Sequence, residues 1–252
     1  ALAAALAAAL AGCASKSGNN MENWSPGRIH SEAKEEMSAG SYDKAIPMLE
    51  TLEGRAAGTP LAQQAQLEKA YAQFKNGDKA EAVGTLDRFI RLHPASPALD
   101  YALYMKGVIH FNDDMGLFAS IARQDLSERD QKAAKEAYES FSELVTRFPD
   151  SRYAPDARAR MRYTVNALAQ YEVHVARYYY RRAAYVAAIN RAQQALKDYR
   201  DAPALEEALH ILADSYDKLG MTDLRDDARR VLELNYPGGS VKTKSKPWWQ
   251  IW

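Results

Sequence analysis

The chain has 252 residues, of which 33 are Lys or Arg and 33 are Asp or Glu, for a formal net charge of zero. That balance excludes a general nucleic-acid binder, which needs a surplus of cations. A single cysteine leaves no disulfide to staple the chain, so burial of apolar surface has to hold the fold.

Residues 1–12, ALAAALAAALAG, form an apolar run too short to cross a bilayer as a helix. The run ends in Leu10-Ala11-Gly12-Cys13, which resembles the lipobox of bacterial lipoprotein signal peptides. An initial Met and a basic leader are missing, so on this reading the sequence starts inside the signal. The alternative is an Ala-rich terminal helix. The lipobox implies cleavage before Cys13 and acylation of its sulfur and new amino group. Several acyl chains anchor stably where one is marginal. Ala14 stands where lipoproteins retained in the inner membrane carry Asp, which points to the outer membrane. Residues 13–27 then read as the lipidated cysteine and a flexible tether, with an r.m.s. span on the order of 20 Å.

Beyond the tether the pattern turns helical. Residues 76–94, NGDKAEAVGTLDRFIRLHP, spell a turn at Gly77-Asp78 and then a helix. Its apolar positions are Ala82, Val83, Leu86, Phe89, Ile90 and Leu92, and His93-Pro94 stops it. Related patterns place Ala45 before Leu49 and Leu52, Ala137 before Phe141 and Leu144, and Ala188 before Ala192 and Ala195. A weaker copy follows Gly220, with Arg225 in the slot of the small residue. The slots are spaced 37, 55, 51 and 37 residues apart. Helical repeats of roughly 34 residues are the tetratricopeptide (TPR) signature, and the two longer spacings imply insertions.

The predicted fold is all-α, a solenoid of about five TPR-like hairpins over residues 28–60, 61–97, 98–150, 151–203 and 204–236. Pro47 is predicted to kink the second helix or delay its start. Residues 112–130 form an insertion inside the third hairpin, and the fourth opens with an unusually long helix. Residues 237–252 form a tail with no helical period.

The chain has no phosphate-cradling Gly-Lys loop, no Gly-x-Ser-x-Gly elbow and no His-Glu-x-x-His. Histidines 30, 93, 110, 174 and 210 are scattered without ligand spacing, and Asp113-Asp114 reads as a solvated pair. The expectation is therefore no enzyme, no cofactor and no metal.

Charge is uneven along the chain. Residues 158–200 hold nine Lys/Arg against two acids, and residues 22–87 hold eleven acids against seven Lys/Arg. Opposite ends of this kind orient partners. Arg181, Arg182 and Arg191 sit among Tyr178, Tyr179, Tyr180 and Tyr185, the residue types enriched at interface hot spots. A solvated face is the plainer reading. Single-stranded nucleic acid is a further one that an exported lipoprotein rarely meets. Tyr71, Phe74, Tyr101 and Tyr104 lie on the first helices of the second and third hairpins, which line the groove in TPR solenoids. They are candidates to receive an extended peptide, with core packing as the competing role.

Several runs go beyond a generic TPR pattern: LDRFIRLHP at 86–94, LDYALYMKG at 99–107, SERD at 127–130, YEVHVARYY at 171–179 and AINR at 188–191. In this order and behind a lipobox, they resemble the BamD (ComL) family, lipoproteins of the outer-membrane β-barrel assembly complex, over residues 29–235. The resemblance implies a non-catalytic scaffold on the periplasmic side of the outer membrane, held there by its lipid anchor. Its N-terminal hairpins would receive the C-terminal signal strand of unfolded outer-membrane proteins. Its C-terminal hairpins, with Arg182 and Arg191, would dock the barrel subunit BamA alongside the other subunits. Two stretches depart from the family. Residues 55–60, RAAGTP, replace an aromatic Tyr-Pro-Phe turn, and the Trp-rich tail is not part of the pattern. Other classes are a different periplasmic TPR lipoprotein, such as one organising cell-wall enzymes, and a lipid-anchored hydrolase.

Overall fold

The computed structural model describes residues 21–114 and 131–238. Cys13 and its lipobox, most of the insertion and the Trp-rich tail lie outside the described residues. All regular structure among the described residues is helical, and these residues divide into two compact units, one up to Thr85 and one from Leu86 on.

In the first unit, α1 (Pro26–Ser38) and α2 (Tyr42–Arg55) form a hairpin, followed by α3 (Pro60–Asn76) and the start of α4 (Lys79–Leu92). Ser25 and Thr59 cap α1 and α3 by accepting from the Arg28 and Ala62 amides, each with Pro at the first helical position. Ile29, Ala33, Ala45, Leu49 and Leu52 are fully buried in the core between these helices. Lys69 on α3 reaches Glu53 on α2 at 2.6 Å, and Thr85 on α4 donates to Gln73 on α3 at 2.8 Å.

Two expectations need correcting here. The tether does not run free to residue 27. Met21–Asn23 form a 3-10 turn, Trp24 packs on the first core, and Arg55 donates to the Trp24 carbonyl at 3.0 Å. Arg28 lies 4.4 Å from the Trp24 ring, a cation–π contact. Pro47 does not delay α2, which begins upstream at Tyr42. Pro47 is exposed, so water can hydrate the carbonyl that its missing N–H leaves unbonded.

The second unit takes the rest of α4, then α5 (Leu99–Asp114), α6 (Gln131–Arg147), α7 (Ala154–Arg181), α8 (Tyr185–Asp198), α9 (Leu205–Lys218) and α10 (Thr222–Asn235). From α5 on, each helix packs against the next. The 28 residues of α7 make it about 42 Å long, twice its partner α8. That length lets it serve two cores. Ala154 and Ala157 pack with Leu103 and Phe141 from α5 and α6. Further along, Ala169, Val173 and Ala176 pack with α8 and α9.

One turn recurs. At Gly77 (φ 95°) the amides of Gly77 and Asp78 bond back to the carbonyls of Phe74 and Gln73. This Schellman closure satisfies the last carbonyls of α3. Gly40 and Gly220 close α1 and α9 in the same way, and so does Ala183 (φ 58°) at the end of α7. Five residues after the first three of these closures along the chain that open onto a small slot, Ala45, Ala82 and Ala188 are fully buried. After Gly220 the slot holds Arg225, which bonds outward to Asp217 at 3.0 Å and to Asp226 at 2.8 Å. The buried residue of α10 is instead Ala228.

Candidate partner-binding surfaces

The corner between α7 and α8 gathers the tyrosines and arginines singled out above, but it does not use them alike. Tyr178 is 49% exposed, and the Arg182 guanidinium lies 4.8 Å from its ring. Tyr179 meets Tyr178 edge-on at 5.7 Å while packing against the C-terminal core. Tyr185 is half-buried and meets Tyr180 edge-on at 5.6 Å. Tyr178, Arg181, Arg182 and Val186, the last at 62% exposure, are therefore the exposed side chains of this corner.

Arg191 is placed differently from what its neighbours in sequence suggest. Its guanidinium bonds Glu172 on α7 at 3.2 Å; the arginine is 45% exposed and the carboxylate 7%. Six residues separate it from Tyr185, about 9 Å along the helix axis. The buried Glu172 charge also helps push the nearby Tyr199 hydroxyl up, after burial itself. Arg177 likewise grips Glu207 on α9 through two bonds, the longer at 2.6 Å. Part of the positive charge of this stretch is thus committed within the chain.

Of the four groove candidates, Tyr71 and Phe74 are half-buried on α3, with Tyr71 edge-on to Tyr42 at 6.3 Å. Tyr101 and Tyr104 lie in the second unit, where the structure brings them together around a residue that sequence reasoning missed. Tyr153, next to the start of α7, stacks on Tyr104 at 4.7 Å and tilts against Tyr101 at 5.7 Å. Arg152 lies over the outer face of that ring. The run continues through Phe141 and Phe111 to Tyr163, which is 41% exposed, with Arg160 over Phe111 at 4.8 Å. Tyr104 donates to Asp156 at 2.8 Å, and Arg160 donates to the same oxygen at 2.5 Å. Burial works to raise the Asp156 carboxyl, but these two donors and the arginine charge hold it below the usual carboxylate range. Burial and the same hydrogen bond push the Tyr104 hydroxyl up. Tyr153 lies some fifty residues from Tyr101 and Tyr104 in sequence, so no local period announces the cluster.

Helical hairpins packed one after another define an all-α, TPR-like repeat protein. The family described as YfiO, outer membrane lipoprotein, matches residues 22–232, and the chain belongs to it. The chain is 43% identical to the outer membrane protein assembly factor BamD of Neisseria meningitidis serogroup A, over 100% of this chain and 98% of that one. The BamD of Neisseria gonorrhoeae is also 43% identical, over 98% and 94%. That of Vibrio cholerae is 37% identical, over 83% and 87%. Among solved structures, TPR-like repeats of a Podosopora anserina kinesin light chain align at a TM-score of 0.41 and 17% identity, over 83% of this chain and 97% of that one. That likeness is too slight to argue from.

Proposed function

We propose that this chain is a BamD-type subunit of a β-barrel assembly complex: a non-catalytic scaffold, anchored in the outer membrane through acylated Cys13. It binds BamA and unfolded outer-membrane proteins and promotes their folding and insertion. The observation that carries the proposal is the similarity to relatives named as assembly factors, at 43% identity over 100% of this chain. The exposed Tyr178–Arg182 corner is the proposed BamA dock, with Arg191 further along α8, where it bonds Glu172. An unfolded substrate has two candidate landing places, the Tyr71/Phe74 face of α3 and the Tyr101/Tyr104/Tyr153 cluster. Residues 55–60 lack the family's aromatic turn, so substrate contact in the first unit falls to Tyr71, Phe74 and Tyr42.

Affinity capture of the full chain from membranes, followed by mass spectrometry, tests the proposal. BamA is the expected dominant partner. Recovery of cell-wall enzymes without BamA would replace this reading with a different periplasmic scaffold.

A further inference from the structure

The last helix offers more apolar surface than its neighbour covers. On α10 only Ala228 is buried, with Leu232 and Tyr236 packed partly against the C-terminal core. Leu224, Val231 and Leu234, seven and three residues apart, stay 41%, 44% and 75% exposed, and Leu219 and Met221 in the preceding turn add 41% and 42%. Spacings of seven and three put such residues along one side of a helix. A terminal repeat ordinarily needs a polar outer face for solubility. This one has an apolar stripe about 20 Å long, from Met221 to Leu234.

We infer that the stripe is the docking surface of the chain's own tail, residues 239–252, which lies outside the described residues. Three observations point to it. The first is where the chain leaves the helix. Gly238 has φ 92°, a left-handed turn two residues beyond the Tyr236 cap and four beyond Leu234. The Tyr236 cap (φ −129°, ψ 60°) repeats the Tyr199 cap (φ −129°, ψ 58°), after which the chain returns as a helix packed on α8. The second is reach. Ten residues, 239–248, extend up to about 33 Å, more than the length of the stripe. The third is chemistry. The tail carries Trp248, Trp249, Ile251 and Trp252 to fill the stripe, and Lys242, Lys244 and Lys246 with no acid among its residues. Beside the stripe, α10 exposes Asp223 and also Asp227, which Arg230 bridges at 3.2 Å. Lysines at every second residue of an extended segment share one face, so they can meet those carboxylates, while the tryptophans beyond Pro247 cover Leu224 and Met221.

Tryptophan fluorescence of the full chain in a Trp24→Phe background tests this, because the remaining three tryptophans all lie in the tail. The expected result is emission blue-shifted from that of a free peptide spanning 239–252, with weaker acrylamide quenching, both independent of protein concentration. Val231→Asp, an exposed position that leaves helicity intact, should return emission and quenching to the free-peptide values. Free-peptide behaviour in the unmodified stripe would overturn the inference. So would protection that Val231→Asp leaves unchanged, which places the tail elsewhere. Protection that appears only on raising the concentration would assign the stripe to a second copy of the chain instead.

Discussion

Asp156 and Glu172 are both carboxylates on α7 held by an arginine, and they differ in how much water reaches them. Asp156 is 48% exposed, and its depressed pKa ties the Tyr104–Asp156–Arg160 contact to pH. A group whose folded pKa is lowered contributes its stability fully above the ordinary value of 3.8 and loses it as pH falls through the lower, folded value. Tyr104→Phe should therefore melt below the wild type at neutral pH. The gap should close as thermal scans are taken down through the acid range, and a gap that persisted there would mean that Tyr104 acts through packing alone. Glu172 is the buried one. Arg191→Ala removes a charged hydrogen bond from it and should cost about 1–2 kcal/mol. A double-mutant cycle of Arg191→Ala with Glu172→Gln, read by denaturant melts, should show a favourable coupling near 1 kcal/mol. Additive losses would show that the 3.2 Å contact carries no net stability.

The helices themselves were legible because their apolar positions repeat at helical spacing, and the small slots at Ala45, Ala82, Ala137 and Ala188 are all fully buried. Legibility ended where a residue's role depends on a distant partner. Glycines announced the turns at residues 40, 77 and 220, but the same closure at Ala183 carries no glycine to announce it. An L-residue in the left-handed region pays a steric cost that glycine does not. Ala183→Gly should therefore stabilise the chain by about 0.5–1 kcal/mol, visible as a raised melting temperature. The opposite holds at Gly107 on α5, where a Cβ would come within 2.5 Å of the fully buried Phe141 ring. Gly107→Ala should destabilise by about 1–3 kcal/mol despite alanine's better helix propensity. Gly84 on α4 is exposed, with nothing near its missing Cβ, so Gly84→Ala should instead gain up to about 1 kcal/mol. If both variants shifted stability in the same direction, propensity alone would govern and the close α5–α6 approach would be unimportant.

Taken as a whole, the chain separates residues that hold it together from residues left exposed, and sequence neighbourhood does not make that division. Tyr178, Tyr179, Tyr185, Arg182 and Arg191 look like one cluster in the sequence. In the structure Tyr179 and Tyr185 are partly spent on packing, and Arg191 is tied to Glu172. Tyr178 and Arg182 are exposed and lie against each other. Tyrosine and arginine are residue types enriched among interface anchors. If BamA docks at this corner, Tyr178→Ala and Arg182→Ala should each weaken its binding by about tenfold, 1.4 kcal/mol, with melting temperatures unchanged. Arg191→Ala should lower the melting temperature as well, so its effect on binding has to be read alongside its effect on the fold. Raising salt separates two further cases. A contact on the solvated rim fades with ionic strength, whereas a desolvated anchor holds. Binding measured by surface plasmon resonance at low and moderate salt, with wild-type affinity in both corner variants, would remove the α7–α8 corner as the dock. The search would then move to the Tyr101–Tyr153–Tyr163 run, where rings and the arginines Arg152 and Arg160 also lie together.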